Sequence, residues 1–233
     1  SLGLVGSEMC IRDSNYIYGF LIIVYSLFPT VLLSNQEILT TNTFSSGFNS
    51  DNFQQDIIYS LIIDIDGSVN LNSYEGSGYI IDIQNRPGRV GFPEVIESKI
   101  GNPRLVKFRE IETDRLLQVK GWDLKLGNQT FWNLYLMSFG SNINLNNLNL
   151  INTEIIGTGD INMGKNLNAG DIFISGNFNI YVDTSLPIVV IGSAEVPAEW
   201  IDATIGYLNQ TNENYKFKVI VEEGSNVVFQ NGE

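Results

Sequence analysis

Three short strings carry the residue types that chemistry needs. Asp64-Ile65-Asp66-Gly67 sets two carboxylates one residue apart ahead of a glycine, as a calcium loop does. It lacks the third oxygen ligand and the distal Glu of such a loop, and Asp-Gly between alternating apolar runs is a hairpin signal. We read it as a hairpin turn. Gly157-Thr158-Gly159-Asp160 has the glycines of a phosphate cradle. No Lys-Ser/Thr follows, and no helix pattern is there to offer its N-terminus, so it reads as a structural turn. Glu75-Gly76-Ser77-Gly78 is not a nucleophile elbow. Its spacing is wrong, and a chain with no His has no imidazole base for the serine. The 26 Asp and Glu residues could supply a carboxylate pair for glycoside cleavage, but no pair is singled out. Without His, and with Cys10 as the one Cys, a zinc site would need carboxylates alone. The sequence thus nominates no catalytic, cofactor-binding or metal residue and no cofactor, and it does not read as an enzyme.

Recognition chemistry is better represented. Trp122, Trp132 and Trp200 are candidate sugar-stacking rings. Trp122 shares its strand face with Leu124 and Leu126, which points it to a core instead. Exposure separates the two: coplanar exposed rings favour sugar, buried rings a scaffold. Asn128-Gln129-Thr130 and Asn209-Gln210-Thr211 are glycosylation sequons, relevant if a eukaryote secretes the chain. The formal charge of −13 argues against nucleic acid, because phosphate binding needs Lys and Arg clusters. Residues 86–125 hold nine of the 13 Lys and Arg, among them Arg104, Lys107 and Arg109, interleaved with acids such as Glu94, Glu97 and Asp123. Such mixing marks an exposed face of mixed charge.

The elements that would position these residues begin after an unusual start. Residues 4–14, LVGSEMCIRDS, resemble the translation of a transposase sequencing adapter. We treat 1–14 as adapter-derived, with no packed role, which removes Cys10 from the authentic chain. Residues 15–34 read as a transmembrane anchor or a signal segment. Tyr16–Ser34 is uncharged over nineteen residues and as a helix would span about 28 Å, close to the hydrocarbon thickness of a bilayer. A buried soluble helix is the third reading. Residues 35–55 are rich in Ser, Thr, Asn and Gln and read as a polar linker. Residues 56–233 read as a β-rich extracytoplasmic domain.

Within that domain thirteen short apolar-alternating runs follow one another between Gly, Asn and Asp, and no helical period persists over three turns. Asn142–Ile180 is distinctive: NINLNNLNL, GTGDINMG and AGDIFISGNFNI repeat short alternating units with Gly-Asp or Asn at the corners, without a strict fixed period. An irregular β-solenoid gives such text, and so does an antiparallel meander. The expected fold class is all-β: an irregular single-sheet stack or β-solenoid-like domain preceded by one N-terminal apolar helix. Pro197–Asn214 reads as a long loop that Trp200 anchors to the β stack, with Ile201, Ile205, Tyr207 and Leu208 as expected neighbours.

The C-terminal part carries a family resemblance. Asn168–Ile174, Leu186–Pro197, Trp200, Gly206-Tyr207, Tyr215–Val221 and Gly224–Val227 resemble the C-terminal β domain of LiaF-like cell-wall-active-antibiotics-response proteins and the related toastrack adhesin domains. Asp56–Gln84 and Val119–Asp123 resemble the opening of toastrack domains, whereas Arg86–Arg115 departs from the family pattern. The resemblance implies a non-enzymatic envelope protein, either a regulator of envelope stress signalling or an adhesin-like scaffold, and carries over no catalytic residue. The implied partners are a protein at the cell envelope or a second copy, with the membrane engaged through residues 16–34. A secreted carbohydrate-binding module is the alternative. A β-helical polysaccharide-active enzyme is a further one, disfavoured by the lack of His. The chain is accordingly expected to be membrane-anchored and extracytoplasmic, or secreted.

Overall fold

A strand buries every second side chain, and the alternating runs are strands in the molecule. Ile58–Asp64 shows why: Tyr59, Leu61 and Ile63 are buried while their neighbours are partly exposed. The computed structural model describes residues 40–46, 58–65, 67–85, 94–98, 100–109, 121–210 and 215–232. They form β1 (Thr40–Ser46), β2 (Ile58–Asp64), β3 (Val69–Tyr74), β4 (Tyr79–Asn85), β5 (Glu94–Glu97), β6 (Arg104–Arg109), β7 (Gly121–Gly127) and β8 (Phe131–Asn144). The second half comprises β9 (Asn149–Met163), β10 (Asn168–Ala169), β11 (Ile172–Asp183), β12 (Ile188–Gly192), β13 (Ile201–Ala203), β14 (Gly206–Leu208), β15 (Phe217–Val221) and β16 (Asn226–Gly232). There is no helix among the described residues, and all sixteen strands belong to one mixed sheet.

Three long strands form the middle. β8, β9 and β11 lie parallel and consecutive, so the chain coils back above itself rather than turning in hairpins. The partner of each β9 residue on β11 is nineteen residues further on, as in Thr153↔Ile172 and Met163↔Val182. β8 keeps the same offset over Asn133–Ser138, then loses one residue at a bulge before Ser141. Each long strand crosses two faces. The first half of β8 pairs with β2 and the second half with β3; likewise β11 pairs first with β15, then with β16. One face therefore runs β5-β6-β2-β8-β9-β11-β15-β12-β14-β13 and the other β1-β4-β7-β3-β8-β9-β11-β16. Inward residues of both faces share one core, from Leu61 and Trp122 to Val219 and Phe229.

Glycine shapes the bend between the faces. Gly157 pairs with Ser138 on one side and Gly176 on the other, at φ of 127° and 120° for the two glycines. A Cβ on Gly157 would lie 1.8 Å from the Ser138 carbonyl oxygen, and one on Gly176 would lie 2.0 Å from that of Gly157. No side chain fits between these backbones.

The ends are built differently. β7 inserts between the consecutive strands β3 and β4, and β15 between the consecutive strands β11 and β12. Antiparallel strands finish the stack: β1 on β4, β5 on β6, and β14 with β13 beyond β12. A parallel coil left open would present unpaired edges to other chains, and such strands terminate it.

Several expectations change. A fixed period of nineteen exists where none was expected, and consecutive parallel strands rule out the antiparallel meander. Runs read as separate strands, Thr130–Ser138 with Ile143–Leu150 and Asp171–Ser175 with Phe178–Val182, are continuous in β8 and β11 or extend into the turns beside them. Asp64 to Gly67 is not a hairpin, because β2 and β3 pair with β8 and not with each other; it is a corner of the coil, with the Gly67 carbonyl accepting from Phe139 N–H at 3.0 Å. Gly157–Asp160 lies inside β9 rather than in a turn. The span 35–55, expected as a linker, contributes β1. The Pro197–Asn214 loop holds the β13–β14 hairpin. The adapter-like stretch and the apolar helix expected at Tyr16–Ser34 lie outside the described residues. Among the described residues no helix is long and apolar enough to cross a membrane.

Candidate functional site

With one side of every strand committed to the core, function must use the two outer faces and the corners. On the first face the outward residues line up across the strands in the column Ile96, Lys107, Ile62, Tyr135, Glu154, Phe173, Ile220, Ile191. Phe173 is 48% exposed, and Phe131 and Phe139 lie exposed on β8. Burial raises the Tyr135 hydroxyl above its usual value, and the neighbouring Glu154 and Asp64 carboxylates add to the shift. We call this the aromatic face.

The second face is polar. Asp82, Asp123, Asn70, Asn142, Asp160 and Asn179 form one outward column. Asn70 donates to Asp123 Oδ1 at 3.0 Å, and Asn179 to Asp160 Oδ1 at 2.9 Å. In the next column Asn144 donates to Asn72 Oδ1 at 3.4 Å, and Asn72 to Asn70 Oδ1 at 3.3 Å. Elsewhere Asn152 donates to Asn133, Asn166 to Asn147 and Asn168 to Asn149, each across nineteen residues. Amides stack this way because each turn returns the same position one strand higher, within reach of an N–H···O bond.

The three tryptophans are not platforms. Trp122 is buried edge-on to Phe108, with ring centroids 6.1 Å apart. Trp132 is buried beside Tyr59, its Nε1–H donating to the Gly127 carbonyl at 3.1 Å. Trp200 is 7% exposed, lies 5.6 Å from Phe229, and donates to Asn231 Oδ1 at 3.1 Å. It anchors its segment as expected, but through β16. Leu208 is buried and Tyr207 packs against the core, whereas Ile201 and Ile205 are exposed.

The remaining candidates are structural in place. Glu75–Gly78 docks on the β7–β8 turn: Gly76 N–H donates to Asn128 Oδ1 and Gly78 N–H to Thr130 Oγ1, while the Tyr74 hydroxyl, its pKa raised by burial, donates to the Ser77 carbonyl. Both sequon asparagines are engaged, Asn128 with Gly76 and Asn209 with Ile188 N–H and the Leu186 carbonyl. The mixed-charge face appears in the β5–β6 ribbon, where Arg109 pairs with Glu94 at 3.0 Å with both side chains about half exposed. There Arg104 donates to the Tyr59 hydroxyl at 3.2 Å; burial raises that hydroxyl's pKa and Arg104 opposes the rise. Asp82 and Asp123 meet across β4 and β7, a pairing the sequence did not single out because it depends on the insertion of β7. Among the described residues no group of three or more Asp, Glu or Cys is placed to hold a metal ion. Sequence reading missed both columns; the signal available was the Asn spacing, with Asn133/Asn152, Asn147/Asn166 and Asn149/Asn168 each nineteen apart.

No protein-family model and no curated protein matches the chain. Among solved structures the fold is similar to that of a "putative cell adhesion protein" from Clostridium sporogenes, with a TM-score of 0.63 and 13% identity over 84% of this chain and 100% of that one. A "putative adhesin" from Parabacteroides distasonis aligns at a TM-score of 0.34 and 10% identity over 69% of this chain and 61% of that one. Another from Bacteroides fragilis gives 0.32 and 10% over 84% and 98%. The latter two scores are too low to carry an argument. The clostridial likeness, at its low identity, establishes that this chain and a cell adhesion protein share one arrangement of strands.

Proposed function

We propose that this chain is a non-enzymatic, adhesin-like scaffold of the cell envelope, extracytoplasmic, working through protein–protein contacts. The observation that carries the reading is the aromatic face. A column with Ile62, Tyr135, Phe173 and Ile220 turned outward is apolar surface that a soluble monomer has no structural reason to maintain, and such patches mark contact sites. The shared fold with a cell adhesion protein and the LiaF-like and toastrack sequence resemblance favour the same class. Within that class the scaffold role is preferred to an envelope-stress regulator, since the supporting features are surfaces.

The test has two arms on cells producing the full chain. Digestion by a membrane-impermeant protease in intact cells is the expected result, and protection in the cytosol overturns the location. Photo-crosslinking from position 173 should capture envelope protein, and the capture should disappear with Tyr135→Asp. Capture unaffected by that change overturns the contact face.

The amide face favours a second reading, carbohydrate binding, through amide and carboxylate groups rather than tryptophan rings. Its two hydrogen-bonding columns offer donors and acceptors at each strand. Glycan-array binding lost on Asn70→Ala with Asp160→Ala would replace the first reading with this one.

A further inference from the structure

We propose that the aromatic face is self-complementary and that two copies of this chain pack through it, face to face, about a two-fold axis. The inference rests on the reading above that the domain works by protein contacts, and it names a second copy as the occupant. The argument is the order of charges along the column. Stepping across β6, β2, β8 and β9, the outward residues are Lys107, Ile62, Tyr135 and Glu154. A two-fold axis between Ile62 and Tyr135, normal to the face, sets Lys107 of one copy on Glu154 of the other, twice. It also sets Ile62 on Tyr135.

The same operation exchanges the flanking columns. Leu105, two residues before Lys107, falls on Ile156, two residues after Glu154. Asp64 falls on Asn133, an acceptor facing a donor. Apolar residues meet apolar residues, and each charge meets its opposite or an amide. This is the isologous arrangement a two-fold dimer requires. Sheets packed this way lie about 10 Å apart with side chains interdigitating.

Charge makes this face the place for it. The chain carries −13, so contact between copies is repulsive over most of the surface. In these three columns Lys107 and Arg109 balance Asp64 and Glu154 across the four strands. Among the described residues neither Lys107 nor Glu154 has an ion-pair partner in its own copy. The two are three strand steps apart, about 14 Å, too far to bond within one copy.

That separation supplies the test. The full chain in mild detergent, as a mixture of nitrogen-15-labelled and unlabelled copies, is treated with a zero-length carbodiimide cross-linker and digested. A Lys107–Glu154 cross-link between labelled and unlabelled peptides is expected, with a dimer in sedimentation velocity. Lys107→Glu and Glu154→Lys should each weaken association by at least about tenfold, because each sets like charges together at two sites. The double variant should restore it, and mixing the two single variants should give a heterodimer. Both residues are on the surface, so unchanged melting of the single variants separates lost association from lost folding. A chain monomeric at all concentrations overturns the proposal. So does a dimer indifferent to both reversals, as one held by the apolar segment at 16–34 would be. If photo-crosslinking from position 173 still captures other envelope protein in that case, the contact function stands and only the second copy is wrong.

Discussion

The middle turns and the two ends use the same strand chemistry to opposite purposes. From Asn149 to Val182 each turn repeats the last, nineteen residues on, with the same inward positions and the same glycine bend. Such a coil could grow without limit, and nothing within a turn tells it to stop. At the ends the order breaks: β7 and β15 are inserted between earlier strands, pairing becomes antiparallel, and single side chains such as Trp200 and Asn209 make bonds that no other turn repeats. The difference teaches that periodicity supplies the core and aperiodicity supplies the boundary. Stability in the middle should depend on backbone approach, and at the ends on particular side chains.

Gly157→Ala tests this most severely. Its Cβ would meet the Ser138 carbonyl oxygen at 1.8 Å, so the strands must part or the turn must unfold. The expected loss exceeds about 4 kcal/mol, measured by denaturant unfolding. Gly224→Ala at the β15–β16 turn also has positive φ, but its Cβ would meet open space, and it should cost about 1 kcal/mol. Equal costs would break the comparison.

Trp200→Ala comes next. Removing the ring from Phe229 and Asn231 should cost about 3–5 kcal/mol. Hydrogen exchange should quicken first in β16 and only then in β9; simultaneous loss would show that the end is not a separate layer.

Asn209→Ala should cost about 2 kcal/mol, because its amide bonds the Ile188 N–H and the Leu186 carbonyl inside a part-buried turn. Asn152→Ala removes one exposed rung bond to Asn133 and should cost about 0.5 kcal/mol. A ladder amide as costly as Asn209 would mean that the stacked amides, not the backbone, hold the middle together.

Alkaline titration gives the smallest effect. Tyr59, Tyr74 and Tyr135 are raised above 10.0 in the folded chain. The folded state therefore holds these protons more tightly than the unfolded state. Their contribution is complete below pH 10 and is lost as pH rises through the folded values. The thermal midpoint should fall above pH 10, less so in Tyr59→Phe. Tyr59 is at the N-terminal end of the stack beside Arg104, so a flat profile there would remove the burial assigned to it.

Strand content was legible because alternation is local. Trp122 could be placed in the core from Leu124 and Leu126 alone, and Trp200 as an anchor from the length of its segment. The nineteen-residue period was hidden for two physical reasons. One position holds Leu134, Thr153 and Ile172 in turn, since a core layer asks for volume rather than identity, and the β8 bulge shifts the phase by one. Glycines at 157 and 176 suggested turns, whereas they let strands bend without ending. Thr40–Ser46 and Glu94–Glu97 escaped notice because outer strands need no apolar alternation, and all four residues of β5 are exposed. The outer columns could not be seen without the register, and the Asp82–Asp123 pairing depends on an insertion that no local pattern encodes.

The place of β15 also has a consequence in time. A chain that emerges from a ribosome or a secretion pore presents β11, then β12, then the β13–β14 hairpin, and only afterwards the strand that belongs between β11 and β12. Until β15 arrives, β12 has no final partner, and β11 exposes an edge that β12 can occupy only in error. Assembly therefore finishes with a key turned late, and the interval before it, set by the length of chain from Ser193 to Lys216, is when the protein is most open to pairing with a neighbour.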